Sequence, residues 1–181
     1  MIAGITTETI PTQSDIARSI QTVIEFVAAN EGLEYFAYER NQLWHVGLGC
    51  QASLTIDPAG NLATIKKGEY QQQKPILSTI DREARDFLRE HSDIGFKIFG
   101  YVGYNYAPHA RGTPYTPGKW PLFTLMIPRH QITVGAESIT VEGRDDKMFC
   151  SISNALRLAQ ASPIPRMIMS VDISQGATEY I

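Results

Sequence analysis

Apolar positions recur along the chain first at a helical and then at a strand period, and each change of period marks an element. In residues 14–29, Ile16, Ile20, Val23, Ile24 and Val27 fall on one helical face behind the cap candidates Thr12 and Ser14, which predicts an amphipathic helix. Short runs at 33–39, 43–49, 52–57 and 62–67 follow, separated by Arg40-Asn41 and by Asp57-Pro58-Ala59-Gly60-Asn61. Such turn chemistry between half-buried runs predicts an antiparallel meander. Helical spacing returns in residues 76–90, where Ile80, Ala84, Phe87 and Leu88 share a face and Asp81, Arg82, Glu83, Arg85 and Glu90 make a solvated one.

Two more strands are predicted at 96–104, interrupted by Gly100 and Gly103, and at 122–128, which is apolar enough to be central. Between them, Pro108, Pro114, Pro117 and Pro121 in residues 107–121 predict a loop without regular backbone hydrogen bonding. Runs 131–134 and 138–142 predict a hairpin across Gly135-Ala136-Glu137. Asp145 and Asp146 then lead into a helix ending near residue 161, with Met148, Ile152, Ala155, Leu156 and Leu158 available for burial. Strands interleaved with a few helices predict an α+β fold of antiparallel sheets flanked by helices.

Composition narrows the function classes. At 181 residues, with 43% hydrophobic and 19% charged residues, the chain is globular and of single-domain length, neither disordered nor fibrous. Sixteen Lys and Arg against nineteen Asp and Glu give a net charge of -3, and their scatter argues against a nucleic-acid surface or a polybasic anchor. The longest apolar runs, such as 122–128, fall far short of the ~20 residues of a membrane helix. Residues 1–15 lack a basic leader region, so a cytoplasmic protein is expected. Cys50 and Cys150 are too few for a metal cluster and too far apart for a disulfide framework, and are expected to be reduced core or near-core residues.

Candidate chemistry is sparse. Gly47-Leu48-Gly49-Cys50-Gln51-Ala52 matches a dinucleotide fingerprint, but that motif must open a helix whose N-terminus meets the pyrophosphate. Residues 52–57 alternate like a strand, so a glycine-rich bend joining two strands is expected. His45, His91, His109 and His130 have no second ligand at a zinc-like spacing. His45 is expected on the sheet face opposite Trp44 and Val46, and His109 with Arg111 in the proline loop could meet an anion or a partner. Cys150-Ser151-Ile152-Ser153 opens a helix with no neighbouring base. The aromatics Tyr35, Phe36, Tyr38 and Trp44, and Phe96, Phe99, Tyr101, Tyr104 and Tyr106, lack interleaved Lys and Arg, which favours sheet packing over base stacking. Residue chemistry alone therefore assigns no catalytic, cofactor-binding or metal-ligating residue.

The order of several segments nevertheless resembles the N-terminal region of the chorismate-utilising enzymes, most closely the salicylate synthases of siderophore biosynthesis. The likeness runs over nearly the whole chain and rests on Tyr38-Glu39-Arg40 with Trp44-His45-Val46-Gly47-Leu48-Gly49, on Phe99-Gly100-Tyr101-Val102-Gly103-Tyr104 with residues 109–112, and on Pro121-Leu122 leading to Ile127-Pro128-Arg129. Ser170-Val171-Asp172-Ile173-Ser174 is similar to the family's lead-in to its catalytic region. The Leu-Leu-Glu-Ser segment with which anthranilate synthases line a tryptophan pocket is not found.

The resemblance implies a two-layered β core flanked by helices and a magnesium-dependent reaction. In salicylate synthases a lysine activates water to attack C2 of chorismate while a glutamic acid protonates the departing C4 hydroxyl. The isochorismate so formed then loses pyruvate to give salicylate. Those residues, and the glutamates that hold Mg2+, belong to the C-terminal part of the family pattern. Residues 1–181 are thus expected to be the N-terminal portion of one larger domain, inactive alone, with the catalytic portion or another chain covering the exposed sheet. Residues 175–181 are too few to nucleate the helix into which the family continues. The alternatives are another chorismate-utilising synthase (anthranilate, aminodeoxychorismate or isochorismate) and a free-standing binding or regulatory module whose proline loop lowers the entropy cost of docking.

Overall fold

The computed structural model describes residues 5–12, 16–92, 95–144 and 146–161. In chain order the elements are β1 (Thr6–Pro11), α1 (Ile16–Ala28), β2 (Tyr35–Arg40), β3 (Leu43–Ile56), β4 (Leu62–Lys67), β5 (Tyr70–Pro75), α2 (Ile80–Glu90), β6 (Phe99–Val102), α3 (Tyr106–Ala110), β7 (Phe123–Val134), β8 (Ser138–Gly143) and α4 (Lys147–Ala161). The eight strands form one antiparallel sheet in the order β1-β8-β7-β3-β4-β5, with β2 added to β3 and β6 to β7. The result is the predicted mixture of antiparallel sheet and flanking helices.

The long β3–β7 ladder is the spine. β2 pairs with the first half of β3 and β4 with the second, so the two shorter strands meet end to end beside residues 49–51. There Gly49 N–H donates to Glu34 O at 2.8 Å and Gly68 N–H donates to Gln51 O at 2.9 Å. β7 divides likewise between β6 and β8. Ring contacts between Phe36 and Tyr101, 6.3 Å between centroids, and between Tyr38 and Phe99, 5.6 Å, join β2 to β6. In a flat sheet three spacings of about 4.8 Å would separate those strands, so the sheet curls.

Each half of the spine has its own core. Val46, Leu48, Ile132, Val134, Ile139 and Val141 pack with Val23 of α1 and Phe149, Ile152 and Leu156 of α4. Ala52, Leu54, Ile56, Ala63 and Ile127 pack with Ile80 and Phe87 of α2. Burying one such side chain is worth about 1.5–3 kcal/mol, which is why the helices follow their apolar faces. Caps fix where two of them start. Thr79 Oγ1 accepts from Arg82 N–H at 3.3 Å, and Asp146 Oδ1 accepts from Met148 and Phe149 N–H at 2.9 and 3.0 Å.

Several expectations are corrected. Runs 43–49 and 52–57 are one strand, β3, and runs 122–128 and 131–134 are one strand, β7. The glycine segment is a bulge, not a bend: Gly49 takes φ +66° and the register shifts between Cys50 and Ala52, so the extra residue is absorbed without ending the pairing. β3 keeps even-numbered residues in both cores, whereas β7 passes from Phe123, Leu125 and Ile127 to Ile132 and Val134, slipping by one residue across the bulge. Pro128 faces Cys50 at that irregularity, where a strand tolerates proline. The loop at 107–121 overlaps the short helix α3, with Pro108 in its first turn, where no N–H is needed.

β1 and β5 were not legible as strands; only Ile10 of β1 is buried and β5 has no fully buried residue. Ile24, Leu88 and Leu158 are exposed despite their apolar spacing. The Thr12 hydroxyl donates to Gly135 O at 3.2 Å, at the β7–β8 turn. Cys50 is buried as expected, but the Cys150 side chain is exposed and not part of the core. Ser14, Asp145 and residues 170–181 lie outside the described residues. Among the described residues, no helix is long and apolar enough to cross a membrane.

Candidate functional site

Three segments distant in sequence converge at the middle of the spine. A Cβ on Gly47 would lie 2.9 Å from Phe99 Cε2 and 3.1 Å from Pro128 Cβ. One on Gly100 would lie 2.3 Å from Thr124 O, and one on Gly103 2.5 Å from Pro121 O. Glycine is needed here for close approach, not for a special φ. Tyr38 closes the group by packing on Phe99 and, at 5.2 Å, on the ring of His45.

Beside this seam, where β2 and β4 meet, lies a polar cleft of about 190 Å³ that includes Glu34, Cys50, Lys66, Glu69, Arg129 and Met148. Lys66 Nζ donates to Glu34 Oε1 at 2.7 Å. Arg129 Nε donates to Cys50 O at 3.2 Å, its stem lying along Gly49. Burial pushes the Glu34 carboxyl up, but hydrogen bonds from Lys66 and Cys50 outweigh it and hold the group below the usual carboxylate range. The hydrogen bond to Glu34 raises Lys66 in return. Burial pushes the Cys50 thiol up to about 11, with the Glu34 charge adding to the effect. A thiol so protonated is no nucleophile at neutral pH. The cleft is a charge-paired tie from the segment leading into β2 to β3, β4 and β7.

The histidines are held separately. His45 is buried, and Lys97 Nζ lies 3.0 Å from its Nδ1, with Thr133 Oγ1 at 3.4 Å. An ammonium can only donate, so Nδ1 accepts and the ring is neutral, while burial and then the Lys97 and Arg40 charges lower its pKa. On the same face, Lys97 N–H donates to Gln131 Oε1 at 2.9 Å, and Gln131 Nε2 donates to Glu142 at the same distance. His91 packs on Phe87, and burial lowers its pKa too.

His109 ties the proline segment to the β3–β4 turn. The Tyr115 hydroxyl donates to Pro58 O at 3.2 Å, so it accepts its 3.1 Å bond from His109 Nδ1–H. The ring lies against Gly60, where a Cβ would be 2.2 Å from Cε1. His109 is thus packed against Gly60 and Tyr115, and Arg111 is exposed nearby. His130 Nε2 is 3.1 Å from Asp146 Oδ1, though neither ring nitrogen has hydrogen-bonding geometry.

Strand pairing gathers the Glu34–Lys66 and His45–Lys97 contacts from positions 32 and 52 residues apart, and no local spacing announces them. Among the described residues, no three His, Cys, Asp or Glu side chains form a metal-sized group. Carboxylates are instead engaged elsewhere: Glu83 by Lys74, Glu90 by Lys67, and Asp81 by the Tyr106 hydroxyl. No protein-family model and no curated protein matches the chain.

Proposed function

We propose that this chain is the scaffold portion of a chorismate-utilising enzyme, most closely a salicylate synthase, supplying the curled sheet on which a catalytic portion is built. The observation that carries this reading is the seam: the segments on which the resemblance rests contribute Gly47, Phe99 and Pro128 to one packed contact. A Cβ on Gly47 would meet both Phe99 and Pro128, so the contact constrains packing rather than chemistry, which is what a scaffold role calls for.

On this reading the chemistry belongs to the part of the family pattern that the quoted segments do not include. There a lysine-activated water adds at C2 of chorismate as the C4 hydroxyl leaves protonated, and isochorismate then eliminates pyruvate to give salicylate. Magnesium, when bound in the complete enzyme, neutralises and orients the substrate carboxylate. This chain's part is to hold the seam rigid beneath that site.

The test is complementation. The chain is mixed with a catalytic portion of a salicylate synthase, given chorismate and magnesium, and product is followed by salicylate fluorescence. Salicylate from the mixture and from neither part alone is the expected outcome. Isochorismate alone would move the assignment to the isochorismate synthases. Turnover by this chain unaided would overturn the scaffold role.

A further inference from the structure

We propose that the outer edge of β2 is an interface between two copies of this chain, paired antiparallel about a two-fold axis at Ala37. The pairing does not depend on the function proposed above.

The backbone of β2 determines which groups are available. β2 and β3 are joined by Asn41 and Gln42, at φ 54° and 61°, a two-residue turn of the type that closes on a hydrogen-bonded pair. That pair is Arg40 with Leu43. At the other end Gly49 N–H donates to Glu34 O. Alternation between these ends turns residues 34, 36, 38 and 40 toward β3 and leaves the N–H and C=O groups of Tyr35, Ala37 and Glu39 pointing outward. Among the described residues, no strand pairs with that edge.

Symmetry then selects the register. Residues opposed across a two-fold axis normal to the sheet must share a face, so the axis lies midway between one residue and its own copy. Centred on Ala37, Tyr35 opposes Glu39 of the second copy and Ala37 opposes itself, so every outward residue joins a hydrogen-bonded pair. Centring on Phe36 or Tyr38 leaves one outward residue unpaired. The Ala37 register also sets Glu34 opposite Arg40 of the second copy and Phe36 opposite Tyr38, an opposite-charge and an aromatic pair, each occurring twice.

The neighbouring surface fits the same occupant. An apolar groove of about 250 Å³ runs between α1 and β2–β3, with Ile24 and Tyr35, 61% and 55% exposed, on its walls. The axis at Ala37, itself a lining residue, brings the two grooves into one strip. Other edges are guarded: β1 ends in Pro11, β5 carries Lys74 and Pro75, and β6 has four residues. β2 has neither proline nor lysine, and its charges, Glu39 and Arg40, are confined to the turn end.

The full chain is tested with Cys150→Ser as background. Hydrogen-bonded antiparallel partners lie about 5.5 Å apart at Cα, within disulfide reach. Ala37→Cys is expected to give a covalent dimer on mild oxidation, well ahead of Phe36→Cys or Tyr38→Cys. Sedimentation of the unmodified chain is expected to show a reversible dimer. Arg40→Glu, which opposes like charges twice, is expected to raise its dissociation constant about tenfold. Preferential cross-linking at 36 or 38, a monomer at all concentrations, or an Arg40→Glu dimer as tight as the parent would each overturn the proposal.

Discussion

Gly47 of β3 lies directly beneath the ring of Phe99 of β6, so close that a Cβ there would come within 2.9 Å of Cε2. Pro128, at 3.1 Å, bars retreat on the other side. Gly47→Ala is therefore expected to lower stability by about 1–3 kcal/mol through overpacking, read as a shift in urea midpoint at unchanged slope. Phe99→Leu removes the ring edge, so the double variant should cost less than the sum of the singles. Strict additivity would show that the two positions are not in contact in solution.

Gly60 carries two constraints that variants can separate. Its φ is +76°, and its Cα faces the His109 ring, with a Cβ placed 2.2 Å from Cε1. Gly60→Ala meets both, and the backbone part alone costs roughly 1–2 kcal/mol. Adding His109→Ala relieves only the clash, so thermal melts should show partial recovery. Full recovery would mean that the loop does not hold this φ.

The elements with strong local period were legible: α1, α2 and α4 each carry an apolar stripe, and β4 and β8 follow their predicted runs closely. β3 and β7 were each divided in two because glycine and proline punctuate a bulge and a turn alike. Only the partner strand distinguishes them, by continuing through. β5, Tyr-Gln-Gln-Gln-Lys-Pro, has no apolar alternation, and its pairing with β4 makes it a strand. The polar contacts were illegible for a related reason, since His45 meets Lys97 only after the sheet has formed.

The two cysteines should differ sharply in reactivity. Cys50 is buried and its thiol is pushed up to about 11 from 9.0, whereas Cys150 is exposed. Iodoacetamide at pH 7.5 is expected to label Cys150 and spare Cys50 until urea is added, as read by peptide mass spectrometry. Because its folded pKa is raised, Cys50 adds stability below its unfolded value that is lost as pH rises through the folded one. Equal labelling of both thiols in buffer would show that the cleft around Cys50 opens readily.

On the acid side the direction is set by His45 and His91, both lowered from 6.5, chiefly by burial. As pH falls through 6.5 the unfolded chain takes up protons that the folded chain refuses, so stability falls with it. The loss continues until pH passes the lowered folded values. His45→Gln keeps a polar side chain beside Lys97 and Thr133 but cannot titrate, so its urea midpoint should fall less between pH 7 and 5. The His45→Gln, His91→Gln pair should flatten that limb further. Glu34, also held low, contributes its loss only below about pH 4.5, so the two limbs separate along the pH axis. An unchanged slope between pH 7 and 5 in the double variant would assign the titration to other groups and place His45 in water.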